Sequence, residues 1–474
     1  MKKITFLILL FSTTILTAQN LTNISNNLAQ VQNSITCWID IDNDGVQELY
    51  MSGNISGSTV GGGLYAYAND TFTLLQGTGL PVLDNGAASA GDFDNDGNLD
   101  LLLTGYDETT STAITDVYLN NADGTFTALN LNLPQCYLSY AQLVDINNDG
   151  LLDIALTGME TVGYSNITKI FKNTASGTLI ELTGTPIVGM MMGKIKFADY
   201  DGDGYQDFAL NGWNSNNTPY TQIWHNNGNE TFTETTDAIT DLWLGDLEWG
   251  DYDGDGDVDL IITGTASADS ETHLYQNNSG TFTEVANTTL PDLHLGTLEW
   301  ADFNNDGHLD LYMAGNHHTT TPAVDNYRGG IFLGDGTGVF TENTGVYIIP
   351  ITYGDAMASD FDGDGYVDIV ESGVNDIGNP YTMCYKNGSS ATVNTDIIDL
   401  FDIYPNPASD VFNISSKYSN YTIEVYDLIG NLFYKQASIG TTHTQINTNH
   451  WTKGMYLLKV QFEEKSYTKR LIVK

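Results

Sequence analysis

The chain has 474 residues and a formal net charge of −44, with 60 acidic against 16 basic side chains. A surface this acidic excludes nucleic acid and anionic membrane as partners, because binding by counterion release needs basic patches. Three cysteines, Cys37, Cys136 and Cys384, cannot all pair, so no disulfide framework is indicated, and Cys37 and Cys384 read as buried small hydrophobes in strands.

The first eighteen residues, two lysines followed by an apolar run and a small residue before Gln19, read as a secretory signal peptide cleaved after Ala18. No cysteine follows the cleavage point to carry a lipid, and no other apolar stretch is long enough to span a membrane.

From residue 40 a nine-residue acidic run appears and then recurs. The copies are DIDNDGVQE from Asp40, DFDNDGNLD from Asp92, DINNDGLLD from Asp145, DYDGDGYQD from Asp199, DYDGDGDVD from Asp251, DFNNDGHLD from Asp302 and DFDGDGYVD from Asp360. Oxygen-bearing residues at positions 1, 3, 5 and 9, with Gly at position 6 for the tight turn, suit a hard cation such as Ca²⁺. An EF-hand would close with Glu at position 12 between helices, whereas this loop closes at 9 and runs into a β-branched strand such as LIITG. The expected ligands are Asp40, Asp42, Asp44 and Glu48; Asp92, Asp94, Asp96 and Asp100; Asp145, Asn147, Asp149 and Asp153; Asp199, Asp201, Asp203 and Asp207; Asp251, Asp253, Asp255 and Asp259; Asp302, Asn304, Asp306 and Asp310; and Asp360, Asp362, Asp364 and Asp368, for up to seven ions. Asn147 and Asn304 keep a carbonyl oxygen but lose a charge, which predicts weaker binding in those two loops.

Two small residues keep register with every loop. A Gly stands thirteen positions after the first acid (Gly53, Gly105, Gly158, Gly212, Gly264, Gly315, Gly373), and a Gly or Ser stands six before it (Ser34, Gly86, Ser139, Gly193, Gly245, Gly296, Gly354). A second strand such as QIWHNN and a third such as ETFTET follow each loop, with Asn and Gly between them as hairpin turns. A period near 50 residues with four short strands per period predicts the blades of a β-propeller.

These units resemble the FG-GAP/VCBS repeats of integrin α-like propellers, over roughly residues 21–394. The resemblance implies an all-β, seven-bladed propeller held by calcium, and a binding or adhesion role. Closing the ring needs a strand from the start of the mature chain: LTNISNNL is expected to pair into the last repeat, with ATVN at 391–394 as a competitor.

Residues 21–394 hold six basic and 52 acidic side chains, and 26 of those acids are the expected ligands, so half the acidity is assigned to metal loops. Beyond them the charges balance. The segment from 402 reads as a small all-β sandwich. It resembles the type A sorting domain of the type IX secretion system of Gram-negative bacteria through Tyr404-Pro405-Asn406-Pro407, the DLIGN turn, Gly454 with Tyr456, and the basic end Lys469, Arg470 and Lys474. The expected organisation is a signal peptide at 1–18, a propeller at 19–394, a linker at 395–401 and a sorting domain at 402–474. The implied partner is the type IX machinery, and the implied location is the outer cell surface or the medium.

Trp38, Trp249 and Trp300, two residues before a loop, read as core. Function is then expected on the face away from the acidic loops. Candidates there are Tyr137, Trp213, Trp243, His294, His317, His318 and Arg328, whose flat faces and polar tips suit glycan or extended protein. The longest loop of that face is expected in the sixth unit, NHHTTTPAVDNYRGG. A binding module, monomeric and without catalytic residues, is the favoured reading. The alternative is a polysaccharide lyase or hydrolase, for which Asp84, Asp107, Glu108 and Glu160, or His317 and His318 with Arg328, are the available groups.

Overall fold

The computed structural model describes residues 21–24, 27–56, 59–286, 288–320, 323–346, 348–388, 401–404, 408, 410–416, 419–426, 432–462 and 465–474. The signal peptide, the ATVN segment and the motif residues 405–407 and 427–431 lie outside them. Among the described residues every regular element is a strand, and the chain divides into two compact units, Met1–Ser389 and Ser390–Lys474.

The first unit repeats one antiparallel pattern. Unit 1 runs Gln32–Ile39, Glu48–Ser56, Thr59–Ala68, Thr71–Leu74, and unit 2 runs Asp84–Gly91, Asp100–Asp107, Thr112–Asn120, Phe126–Ala128. Unit 5 (from Leu247–Gly250) and unit 6 (from His294–Ala301) repeat it as separate four-stranded sheets. Units 3 and 4, beginning at Cys136–Val144 and Ile195–Ala198, fuse into one nine-stranded sheet because Met190–Met191 pairs with the third strand of unit 3 and the second of unit 4. In unit 7 three strands come from residues 351–386 and the fourth is Thr22–Ile24, which pairs antiparallel with Lys386 to Cys384. The expected return of the N-terminal segment to the last repeat is therefore observed.

Each pair of neighbouring units shares its own apolar core. Leu83, Leu101 and Leu103 of unit 2 pack on Ile35, Cys37 and Tyr50 of unit 1, and this pattern continues around the units. The last core joins unit 7 back to unit 1, through Phe361, Val370 and Cys384 against Val31, Trp38 and Leu49. The strand Gln32–Ile39 accordingly lies beside both Asp84–Gly91 and Ile351–Ser359. All three cysteines are buried and free. Trp38 is buried, while Trp249 and Trp300 are half-buried at the edges of their cores.

The two registered small residues meet each other. At the start of each first strand one residue adopts a left-handed backbone, φ +48° to +54°, at Asn33, Asn85, Leu138, Met192, Leu244, Leu295 and Tyr353. This bulge presses the following Gly or Ser onto the second strand. A Cβ added to Gly86 would lie 1.8 Å from the Thr104 carbonyl oxygen and 2.6 Å from the Gly105 Cα. Only small residues fit that approach, which is why both positions recur.

The second unit has a three-stranded sheet (Phe401–Tyr404, Val411–Ser416, His443–Asn447) and a four-stranded sheet (Leu432–Ile439, Asn420–Tyr426, Gly454–Phe462, Lys465–Val473). One core takes Phe412, Ile414 and Ile446 from the first and Ile423, Val425, Leu458 and Val460 from the second. Tyr456 is buried there, with its ring 5.3 Å from Trp451 and its hydroxyl donating to the Thr452 carbonyl at 2.7 Å.

Candidate metal loops and the opposite face

Every acidic loop links the first two strands of its unit. Its first carboxylate accepts the backbone N–H groups of positions 5 and 6 at 2.8–3.2 Å in all seven copies. The position-5 carboxylate accepts the N–H of position 7, as Asp44 does from Val46 at 2.8 Å. Glycine at position 6 holds φ between +83° and +97°, a conformation that a Cβ resists.

The closing acid is the anchor. Glu48, Asp100, Asp153, Asp207, Asp259, Asp310 and Asp368 are all buried. In loops 1 to 5 one oxygen accepts the N–H of position 2, at 2.9 Å for Phe93 to Asp100. In units 2 to 7 the other oxygen accepts an N–H from the end of the third strand, at 2.8 Å for Asn120 to Asp100. Burial pushes these carboxyls up, to about 6 at Asp100 and Asp153, about 7 at Glu48, Asp207, Asp259 and Asp310, and about 8 at Asp368, with neighbouring loop acids adding to the rise.

The donor set fits a hard divalent ion. Asp40, Asp42 and Asp44 bring carboxylate oxygens within 4.8 Å of one another, as do the corresponding triads from Asp92, Asp199 and Asp251. Unit charges that close repel by about 1 kcal/mol each in water and about 3–4 kcal/mol where partly shielded. A cation seated among them would remove that repulsion and favour the charged form of the buried closing acid. Loop 4 departs from an all-oxygen set: His225 Nδ1 stands 3.1 Å from Asp201 and 3.3 Å from Asp207.

Two sets of asparagines tie neighbouring units together at this end; the first was expected only as hairpin-turn residues, and the second had no expected role. The Nδ2 of Asn120, Asn173, Asn226, Asn277 and Asn387 donates to the position-2 carbonyl of the preceding unit's loop, at 2.7–3.3 Å. In unit 1 Tyr67 holds this place and packs on Phe361 of loop 7, with ring centroids 4.8 Å apart. The second set sits at loop position 4. Asn43, Asn95, Asn148 and Asn305 donate to the glycine carbonyl of the next loop at 2.6–3.3 Å. The signal for both was the recurrence of Asn at fixed offsets from the loop.

The candidate ligand residues lie at the other end of the units. Trp213 and Trp243, from units 4 and 5, have ring centroids 4.2 Å apart, and Tyr137 of unit 3 lies 5.9 Å from Tyr106 of unit 2. His294 and His318 are 6.3 Å apart, and Ser270 Oγ is 2.8 Å from His294 Nδ1. The sixth-unit segment expected to be a loop is instead a strand hairpin, Asp310–Thr320 with Ala323–Gly334, paired through to Thr320 and Ala323. Its alternating Thr and aromatic residues extend the ladder, and consecutive strand residues leave on opposite faces. His317 and His318 therefore do not converge, and Arg328 is opposite Gly315 and exposed. Of the acids considered for hydrolysis, Asp84 is buried and Asp107 accepts hydrogen bonds from its own turn at Thr109 and Thr110.

Between the two ends runs a cavity of about 230 Å³, lined by the first strands of all seven units. Lys194 lies 3.5 Å from Asp246 and 3.8 Å from Asp355, Lys196 pairs with Glu248, and both ammonium groups sit over the Tyr140 ring at 4.9 and 5.5 Å. Thr36 donates to Asp355 at 2.6 Å. Sequence pattern gave no sign of this cluster, because its members come from separate repeats.

A family model for FG-GAP-like repeats matches residues 92–156, 145–210, 199–262 and 251–313, and one for a secretion system C-terminal sorting domain matches residues 402–474. An endo-acting ulvan lyase of Formosa agariphila is 39% identical over 74 residues, 15% of this chain and 14% of that enzyme, so the chain matches only a small part of that relative. Among solved structures, the extracellular domain of a hybrid two component system of B. thetaiotaomicron is 12% identical (95% of this chain, 56% of that one, TM-score 0.40). The V. cholerae biofilm matrix protein Bap1 is 14% identical (94% and 80%, TM-score 0.36). PorZ, a surface component of the type IX secretion system of Porphyromonas gingivalis, is 10% identical (95% and 81%, TM-score 0.23). None of these three scores reaches 0.5, so the fold rests on the chain's own sheets. The chain carries FG-GAP-like repeats together with a sorting domain that sends it through the type IX secretion system to the cell surface or the extracellular space.

Proposed function

We propose that residues 19–394 form a closed, seven-bladed, calcium-stabilised β-propeller, that residues 402–474 form a β-sandwich address, and that the propeller is an extracellular binding module for glycan. Closure is supported by the core that joins units 7 and 1 and by the pairing of Thr22–Ile24 with the strand ending at Lys386. Calcium is supported by the clustered carboxylate oxygens of the loops and their buried closing acids.

The observation that carries the binding role is the Trp213–Trp243 pair, two half-buried indoles from adjacent units on the face away from the loops. Flat apolar faces beside polar tips are what a sugar ring packs on. Val162 and Tyr164 of unit 3 and Tyr353 of unit 7 are exposed apolar side chains. An array of neutral and acidic glycans probed in millimolar calcium tests the reading. Binding by the wild type that is lost in Trp213→Ala and Trp243→Ala supports it. Retention of glycans by the double variant, or capture of extracellular proteins alone, overturns it.

A second reading, a polysaccharide-degrading enzyme, draws only on the 39% identity to an ulvan lyase over 74 residues, a stretch about as long as the sorting domain. Turnover of an acidic polysaccharide by the purified chain, abolished by His317→Ala or His318→Ala, would establish it.

A further inference from the structure

One position in the third strand of each unit decides what stands over that unit's acidic loop. It immediately precedes the inter-unit asparagine, or Tyr67 and Gly334 in units 1 and 6, and strand alternation sends it to the opposite face. Ala66, Leu119 and Leu333 occupy it in units 1, 2 and 6, and they offer the loop no charge. In unit 5 Gln276 Nε2 donates to Asp253 at 2.6 Å. In unit 7 the residue is Lys386, and its ammonium is paired directly with Asp362 at loop position 3.

Three features set loop 7 apart. The Asp362 side chain is only 6% exposed beneath the lysine, against 26% for Asp201 at the same position of loop 4. Lys386 is fixed from a second side by Asp70 of unit 1, 3.2 Å away. Asp368 Oδ2, buried, has no hydrogen-bond partner, whereas in loops 1 to 5 the closing acid takes the N–H of position 2.

We propose that loop 7 carries its own cation, the Lys386 ammonium, in place of calcium, so that seven copies of the motif bind fewer than seven ions. This rests on the calcium reading above. A fixed positive charge on the position-3 carboxylate withdraws a ligand and repels a divalent ion brought to the same pocket. Unit 3 is a weaker case: Lys172 is 3.9 Å from Asp149, is shared with Glu230 of unit 4, and faces a loop in which Asn147 has already removed one charge. The consequence for the fold is specific. Lys386 belongs to the strand that receives Thr22–Ile24, so the junction of first and last units is held by an ammonium that does not depend on the calcium outside the cell.

The test is calcium titration of the full secreted chain by calorimetry, with stoichiometry read for wild type, Lys386→Met, Lys386→Arg and Leu119→Lys. Methionine keeps the stem and removes the charge. The expected results are one additional ion, or one site filled at tenfold lower calcium, in Lys386→Met, and no change in Lys386→Arg. Leu119→Lys, which copies the lysine onto loop 2, is expected to lose one ion, and it decides the matter should Lys386→Met fail to fold. Equal stoichiometry and affinity in wild type, Lys386→Met and Leu119→Lys would overturn the inference while leaving calcium binding intact. Absence of calcium binding in every variant would overturn the calcium reading and this inference with it.

Discussion

At the loop end, the units repeat the same bonds almost atom for atom: a first carboxylate holding two N–H groups, a buried closing acid, an asparagine reaching back to the unit before. At the opposite end the described residues show no such common pattern. Trp213 meets Trp243, Tyr106 meets Tyr137, His294 meets His318, and unit 6 extends its hairpin. On the binding reading proposed above, repetition at one end and variation at the other would separate what holds the molecule together from what it presents to a partner.

That separation can be broken in graded steps. Asp259→Ala leaves the N–H groups of Tyr252 and Asn277 buried without an acceptor and removes a loop ligand, so a loss of about 3–5 kcal/mol is expected in chemical denaturation, with glycan binding retained by the folded fraction. The Trp213→Ala, Trp243→Ala double variant should behave in the reverse way: at least about tenfold weaker glycan binding, about 1.4 kcal/mol or more, at nearly unchanged melting temperature in calcium. Asn226→Ala strands the carbonyl of Ile146 in the preceding unit, and about 1–3 kcal/mol of stability should go with it.

A smaller effect sharpens the comparison through pH. Glu371 is fully buried between the hydroxyls of Tyr312 and Tyr385, and burial raises its carboxyl to about 8 from the ordinary 4.5. The folded state holds a proton that the unfolded state releases, so its stabilising contribution is complete below about 4.5 and declines as pH rises toward 8. Glu371→Gln should flatten that decline and raise the melting temperature at neutral pH by a few degrees, measured at fixed calcium. A variant with the same pH slope as the wild type would contradict this assignment.

How much of this was legible depended on whether a feature is local and repeated. The loops and the paired small residues are written within about twenty residues, the four-strand rhythm within one repeat, and all recur along the chain, so spacing alone located them. The return of Thr22–Ile24 was legible because its sequence resembles a missing fourth strand. The asparagine ties were visible as recurrent letters but not as bonds, since each partner lies in a neighbouring unit, the preceding one for Asn120 and Ile41 and the next one for Asn43 and Gly97. The cavity cluster of Lys194, Lys196, Asp246, Glu248 and Asp355 left no trace, because its members come from three separate units, 4, 5 and 7, and none repeats it. The sixth-unit hairpin was read as loop because length and polarity suggested one, while its strand partners decided otherwise.

The most direct test of the division between the two ends is a thermal melt of the full secreted chain in millimolar calcium and again in excess chelator. Sites with dissociation constants near 10⁻⁴ M, about tenfold below the calcium present, contribute about 1.4 kcal/mol each, and several together should lower the melting temperature by about 10 °C when the ion is withdrawn. An unchanged melting temperature in chelator would mean that the acidic loops do not hold the fold through calcium, and the account of that end would fail.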